Sequence, residues 1–156
     1  MTTYEAPTRQ TTRLSRTALV GALTFLVAVG LPIGGILTAD MRDVAVRPGL
    51  IDWIFVAGVA VLSVLTFGLL LLWLRGRPHA NPARVGLVLS LVALAASIVA
   101  FWTMVPVVLG SAAAWLGVLG RDAATRSGTS PAKATVALVV GLVAAAGSVV
   151  MYVITS

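Results

Sequence analysis

The chain has no cysteine and a single histidine, His79, among its 156 residues. Without cysteine it cannot form disulfide bonds, thiolate metal sites or a lipid anchor on a cysteine side chain. His79 lies in the connector RGRPHANPAR, which has no acidic residue, and a zinc-binding or catalytic histidine needs partners. Asp40, Asp43 and Asp52 lack the spacing and the glycine turn of a calcium loop. We therefore expect no catalytic residue, no cofactor and no metal site.

Charge is also scarce, since 10% of the residues are charged and 59% are hydrophobic, with a mean hydropathy of +1.04. A soluble domain carries about 25% charged residues. A disordered chain needs low hydrophobicity and high charge. Both classes are excluded, and the composition indicates an integral membrane protein.

Four long runs contain no Asp, Glu, Lys, Arg or His, and they are Thr17–Ala39, Trp53–Leu74, Val85–Gly120 and Ala134–Ser156. Proton relays, ion-coupled pumps and voltage sensors place ionisable side chains at membrane depth. The absence of such side chains from the runs argues against these functions for the chain on its own.

The lengths of the runs predict an all-α membrane bundle of five helices. About 20 helical residues cross a bilayer, so three of the runs fit one crossing each. The third run has 36 residues and would be about 54 Å long as one helix, so we expect a break at Pro106, where proline removes a backbone donor. The expected helices cover residues 17–39, 52–74, 84–103, 105–120 and 134–154, after a disordered cytoplasmic tail over residues 1–16. A four-helix count is the alternative.

The placement of the basic residues favours five crossings. With a cytoplasmic N-terminus, nine cations lie inside and two, Arg42 and Arg47, lie outside. With four crossings the division becomes six against five, which removes the excess of cytoplasmic cations typical of membrane proteins. We therefore expect a plasma-membrane protein with its N-terminus in the cytoplasm and its C-terminus outside. Residues 17–74 would form an N-terminal hairpin and residues 84–154 a three-helix unit.

An internal repeat gives separate support for this count. Residues 83–103 and 134–154 align at an offset of 51 with ten identities, among them Ser97 with Ser148. Two copies of one helix should cross in the same direction. That arrangement requires one crossing between them, as the five-helix count supplies.

Small residues recur every three or four positions in the last three predicted helices. They are Gly86, Ser90, Ala93, Ser97 and Ala100, then Gly110, Ala113, Ala114, Gly117 and Gly120, then Ala137, Gly141, Ala144, Ala145 and Ser148. Because no hydrophobic force joins helices in lipid, close approach through small residues is a main source of their association. The pattern predicts a compact bundle of helices 3, 4 and 5, with helices 1 and 2 packed against it as a second hairpin.

The first apolar run contains Gly30, Pro32 and Gly34 within five residues, so we expect a kink there. One interpretation is a hinge or an unwound binding segment, as in transporters. The other is a static bend, or a packing face made by the Gly30-x-x-x-Gly34 spacing. We favour the second, because no polar residue accompanies the break.

The stretch from Arg84 to the C-terminus carries the apolar helix VGLVLSLVAL, a turn at Pro106, a glycine-rich return helix that ends in a basic loop at Arg121, and a second copy of the first helix. In these features it resembles a family of small actinobacterial multi-pass membrane proteins of unknown function. The resemblance covers residues 84–154 and implies a topology, with no activity attached.

Six basic residues in the inner connectors are candidate contacts for anionic lipid, and they are Arg75, Arg77, Arg84, Arg121, Arg126 and Lys133. We expect the partners to be membrane lipids and either another membrane protein or a second copy, without nucleic acid, because no nucleic-acid-binding motif accompanies the charge. The expected function is that of a non-enzymatic accessory, scaffold or assembly protein. The alternative is a subunit of an oligomeric channel or small-solute permease, with a pore between subunits.

Overall fold

The structure, a computed structural model, describes residues 7–42, 49–76, 81–100 and 103–155. These residues form five helices and no strand, and the helices are α1 (Pro7–Arg42), α2 (Leu50–Gly76), α3 (Pro82–Val99), α4 (Val105–Ser127) and α5 (Ala132–Thr155). All five are long and apolar enough to cross a membrane. The predicted all-α membrane bundle is confirmed, and the chain is a multi-pass membrane protein.

The first helix begins earlier than predicted. Residues 1–16 were expected to be disordered, but α1 starts at Pro7; residues 1–6 lie outside the described part of the chain. Proline suits the first position of a helix, where the missing N–H has no partner to lose. At the end of this polar segment the Thr17 hydroxyl donates to the carbonyl of Arg13 at 2.8 Å. Local bonds of this kind let the helix extend beyond the apolar run.

The break that Pro106 predicts is present. Helix α3 ends at Val99, four residues before the predicted end, and α4 begins at Val105. Met104 precedes α4 with a left-handed backbone, φ 55° and ψ −3°. This conformation costs a residue with a side chain roughly 1–2 kcal/mol, and Met104 holds it with its side chain fully buried.

Helix α4 is longer than predicted. It was expected to end at residue 120, yet it continues to Ser127, and Gly128 ends it with φ 65°. Glycine is the usual residue at such a left-handed helix end, and the amide of Thr129 donates to the carbonyl of Ala124 at 3.0 Å. With 23 residues, α4 is about 34 Å long, which suffices for a full crossing.

Helix α4 occupies the centre of the bundle. It packs against α3 and α5, which also contact each other, while α1 packs on α2 and both of these lie against α4. The exposed large apolar side chains of the described helices belong to α1, α2, α3 and α5. The four outer helices therefore present most of the lipid-facing surface and cover most of α4.

The small residues make the central contacts, as predicted. Those that are buried are Gly86, Ser90 and Ala93 in α3, Gly110, Ala113, Ala114, Gly117 and Gly120 in α4, and Ala137, Gly141, Ala144 and Ser148 in α5. A Cβ built on Gly110 would lie 2.6 Å from the carbonyl oxygen of Gly141, and a Cβ on Gly141 would lie 2.6 Å from that of Gly110. Only glycine permits the two backbones to approach so closely.

The two copies of the repeat, α3 and α5, pack side by side in register. A Cβ on Gly86 would lie 3.3 Å from the Cβ of Ala137, its equivalent in the second copy. Further along, the hydroxyls of Ser97 and Ser148, also equivalent, lie 3.5 Å apart. The copies therefore run parallel and cross in the same direction, as the repeat predicts.

Candidate functional site: a basic end and a groove

Successive helices are antiparallel, so one end of the bundle collects the start of α1, the end of α2, the start of α3, the end of α4 and the start of α5. We call this the basic end. The side chains described there include seven cations and one acid, Asp122, and the cations are Arg13, Arg16, Arg75, Arg84, Arg121, Arg126 and Lys133. At the opposite end, Asp40 and Arg42 lie in the last turn of α1 and Asp52 lies in the first turn of α2. The charge is thus strongly asymmetric along the bundle axis.

Five of the six predicted lipid-contact residues lie at this end, and all five are exposed: Arg75, Arg84, Arg121, Arg126 and Lys133. The sixth, Arg77, lies outside the described residues. The structure therefore brings the described candidates to one end of the bundle. That they contact anionic lipid stays a prediction.

A cleft of about 500 Å³ opens at the basic end between the start of α1 and the end of α4. Its lining includes Arg13, Arg16 and Arg126, with Asp122 as the one carboxylate. Three guanidinium groups against one carboxylate leave two positive charges in excess. Guanidinium groups bind phosphate and carboxylate through paired hydrogen bonds, so the cleft is suited to an anion.

Sequence reasoning selected Arg126 as a candidate site residue but missed Arg13 and Arg16. These two are three residues apart, a spacing that places them on one face of a helix. This spacing is informative only if the helix extends upstream of Thr17. Because residues 1–16 were predicted to be disordered, the two arginines were not recognised as lying on one helix face.

Trp115 forms the inner wall of the cleft, and a short chain of hydrogen bonds fixes its ring. Its indole Nε1–H donates to Thr17 Oγ1 at 2.8 Å, and the Thr17 hydroxyl donates to the carbonyl of Arg13 at 2.8 Å. Thr17 is fully buried. The bonds tie α4 to α1 at the level where the cleft meets the apolar part of the bundle.

The cleft continues as a groove between α1 and α5, with α4 as its floor. Its first section, of about 260 Å³, shares Val20, Trp115 and Val118 with the cleft. Its second section, of about 450 Å³, shares Leu23, Thr24, Ser111 and Leu142 with the first. The groove is mainly apolar, with the hydroxyls of Thr24 and Ser111 along it. It therefore joins an anion-binding cleft to a path along the membrane-spanning helices.

Helix α1 is continuous through Pro32, so the unwound segment considered as one interpretation is not present; a bend at Pro32 stays a prediction. Gly30 and Gly34 are exposed, and a Cβ on either would meet no atom within 4 Å. The Gly30-x-x-x-Gly34 face is therefore not used for packing within the part of the chain that the structure describes.

A second cavity of about 350 Å³ lies near the opposite end among α1, α2 and α5, and its lining includes Asp52 and Tyr152. The Asp52 carboxylate, in the first turn of α2, accepts from the amide of Gly49 just before the helix at 2.8 Å, and an acid is favourable at this positive end of a helix. Asp40 and Asp43 lie outside the described side chains. Among the described residues no group of three or more His, Cys, Asp or Glu could hold a metal ion.

No family model, no curated protein and no solved structure matches the chain.

Proposed function

We propose that this protein is a non-enzymatic accessory or assembly protein of the plasma membrane that packs against a transmembrane helix of another membrane protein. The observation that carries the proposal is the outward face of α1. There Gly30 and Gly34 leave open space where a Cβ would be, four residues apart on one side of the helix.

A face of this kind can bind another helix in lipid. Helices in a membrane associate through van der Waals contact between closely approaching backbones, and a glycine pair spaced by four residues permits that approach. Inside the chain the same principle acts between Gly110 and Gly141, where the backbones meet. Gly30 and Gly34 meet no partner helix in the described part of the chain, and a second chain would supply one.

The proposal includes an orientation. The basic end would lie in the cytoplasm, against the anionic lipids of the inner surface, with the N-terminus inside and the C-terminus outside. The exposed basic residues Arg75, Arg84 and Lys133 would then hold the bundle at a defined depth and leave the α1 face free for the partner helix.

The test is to capture the partner in native membranes. A photo-reactive residue at Leu26, which is 65% exposed and one turn from Gly30, should crosslink to a second protein that mass spectrometry identifies. Gly34→Leu should abolish this adduct. The matched control is Gly147→Leu on α5, because Gly147 is also exposed and also has open space around it.

Three outcomes would overturn the proposal. The first is an adduct that survives Gly34→Leu, and the second is one that Gly147→Leu removes equally. The third is solute or ion flux through liposomes that hold only the purified protein, which would support the channel subunit. An adduct that joins two copies of this chain would show that the α1 face binds a second copy instead of another membrane protein.

A further inference from the structure

We propose that the cleft and groove together form a binding site for one anionic phospholipid, with the phosphate at Arg16 and Arg126 and an acyl chain along the groove over α4. The inference deepens the proposed contact between the basic end and anionic lipid. It does not depend on the α1 face that binds the partner helix.

The headgroup position follows from charge. Arg16 and Arg126 are exposed and line the cleft from two different helices, α1 and α4, and Arg13 lines it from a half-buried position. The two positive charges in excess favour an anion over a zwitterion. The aromatic ring of Trp115, which also lines the cleft, is of the type found at the level of lipid headgroups.

The acyl-chain position follows from the length and lining of the groove. Along α4 the groove extends from Val118 to Val107, a distance of about 16 Å at 1.5 Å per residue. This length accommodates much of one acyl chain, and the groove is lined mainly by apolar side chains. Its open end lies beside the arginines of the cleft.

A lipid fits these features better than a second helix does. A partner helix would cover the apolar groove but would not explain why three arginines line its open end. A free phosphate would explain the arginines but not an apolar groove that begins beside them. An anionic phospholipid accounts for both parts of the site.

The experiment measures lipid binding to the purified full-length chain by native mass spectrometry in detergent. Phosphatidylglycerol and phosphatidylcholine with identical acyl chains are the two probes. The wild-type chain should prefer phosphatidylglycerol by on the order of tenfold, the size expected for hydrogen bonds between charged groups. The double variant Arg16→Ala/Arg126→Ala should lose this preference.

Two matched controls separate the site from general effects. Arg75→Ala/Arg84→Ala removes the same charge from exposed positions at the basic end that do not line the cleft. It should keep the preference within about twofold, because these two charges do not contact the bound phosphate and solvent screens their longer-range effect. Ala146→Phe fills the groove and should weaken both lipids on the order of tenfold by excluding the acyl chain. Ala95→Phe places the same ring at the equivalent exposed position of α3, outside the groove, and should leave binding unchanged.

Several results would overturn this site. They are equal affinity for the two lipids, equal loss of preference in the two double arginine variants, and unchanged binding in Ala146→Phe. If glycerol phosphate competed as strongly as the whole lipid, the site would bind only the phosphate, and the groove would not bind an acyl chain. None of these results would change crosslinking at Leu26, so the failure of this inference is distinguishable from that of the proposed function.

Discussion

Replacing Gly141 by alanine tests the packing at the centre of the bundle. The new Cβ would lie 2.6 Å from the carbonyl oxygen of Gly110 and 2.7 Å from the amide nitrogen of Ala114. Ordinary van der Waals contact begins at 3.4 Å. Both neighbours are backbone atoms of α4, so no side chain can rotate away, and α4 and α5 would have to separate by up to about 0.8 Å, the difference between 3.4 and 2.6 Å.

The magnitude follows from two opposing terms. Overpacking of this kind costs roughly 1–3 kcal/mol, and exchanging glycine for alanine in a helix returns up to about 1 kcal/mol. If the full return of about 1 kcal/mol is realised, the free energy of unfolding should fall by roughly 0–2 kcal/mol relative to the wild-type chain. Gly141→Ala should be roughly 1–3 kcal/mol less stable than Gly147→Ala, because that control gains the same helix propensity without the overpacking. Gly147→Ala, where the new Cβ meets no atom within 4 Å, should be neutral or slightly stabilising.

The assay is unfolding by sodium dodecyl sulfate in mixed micelles, followed by circular dichroism, with the two variants and the wild-type chain measured side by side. Gly110→Ala should behave like Gly141→Ala, because the two glycines face each other across the same contact. If Gly141→Ala proved as stable as Gly147→Ala, the close approach of α4 and α5 would be refuted.

Three further changes test other parts of the structure. A double-mutant cycle with Trp115→Phe and Thr17→Val should give a coupling of about 0.5–1.5 kcal/mol in the same unfolding assay, since the two side chains share one hydrogen bond; a coupling of zero would contradict that bond. Met104→Ala should destabilise the chain by about 2–5 kcal/mol through the cavity it leaves, and Met104→Gly should be more stable than Met104→Ala by roughly 1 kcal/mol, because glycine adopts the left-handed backbone freely; the opposite order would contradict that conformation. Asp122→Asn should raise the affinity for phosphatidylglycerol several-fold by removing the negative charge from the cleft, and weaker binding in native mass spectrometry would contradict the assigned headgroup position.

Much of the fold could be predicted because lipid imposes a simple rule. A segment that crosses the membrane must be apolar and long enough, so the five helices, the break at Pro106 and the glycine contacts of α4 follow from residue type and spacing alone. The parallel packing of α3 on α5 follows from the repeat, whose equivalent serines meet across the interface.

The ends of the helices could not be predicted in the same way. Hydropathy identifies the part of a helix that lies in lipid, but the backbone hydrogen bonds of a helix can continue into a polar segment outside the membrane. Hydropathy therefore does not predict the polar start of α1 at Pro7 or the extension of α4 to Ser127. The cleft depends on both extensions, because Arg13 and Arg16 belong to the first and Arg126 to the second. The sequence shows that these arginines exist, but it does not predict that they line one cleft.

The orientation of the five crossings is tested most directly by labelling single cysteines in intact cells, where the chain has no cysteine of its own to give background. Thr129→Cys places the thiol in the exposed connector between α4 and α5, and Ser156→Cys places it at the last residue. A membrane-impermeant maleimide added from outside should label Ser156→Cys at once and Thr129→Cys only after the membrane is permeabilised. Immediate labelling of Thr129→Cys, or protection of Ser156→Cys, would contradict a five-helix bundle with its basic end in the cytoplasm.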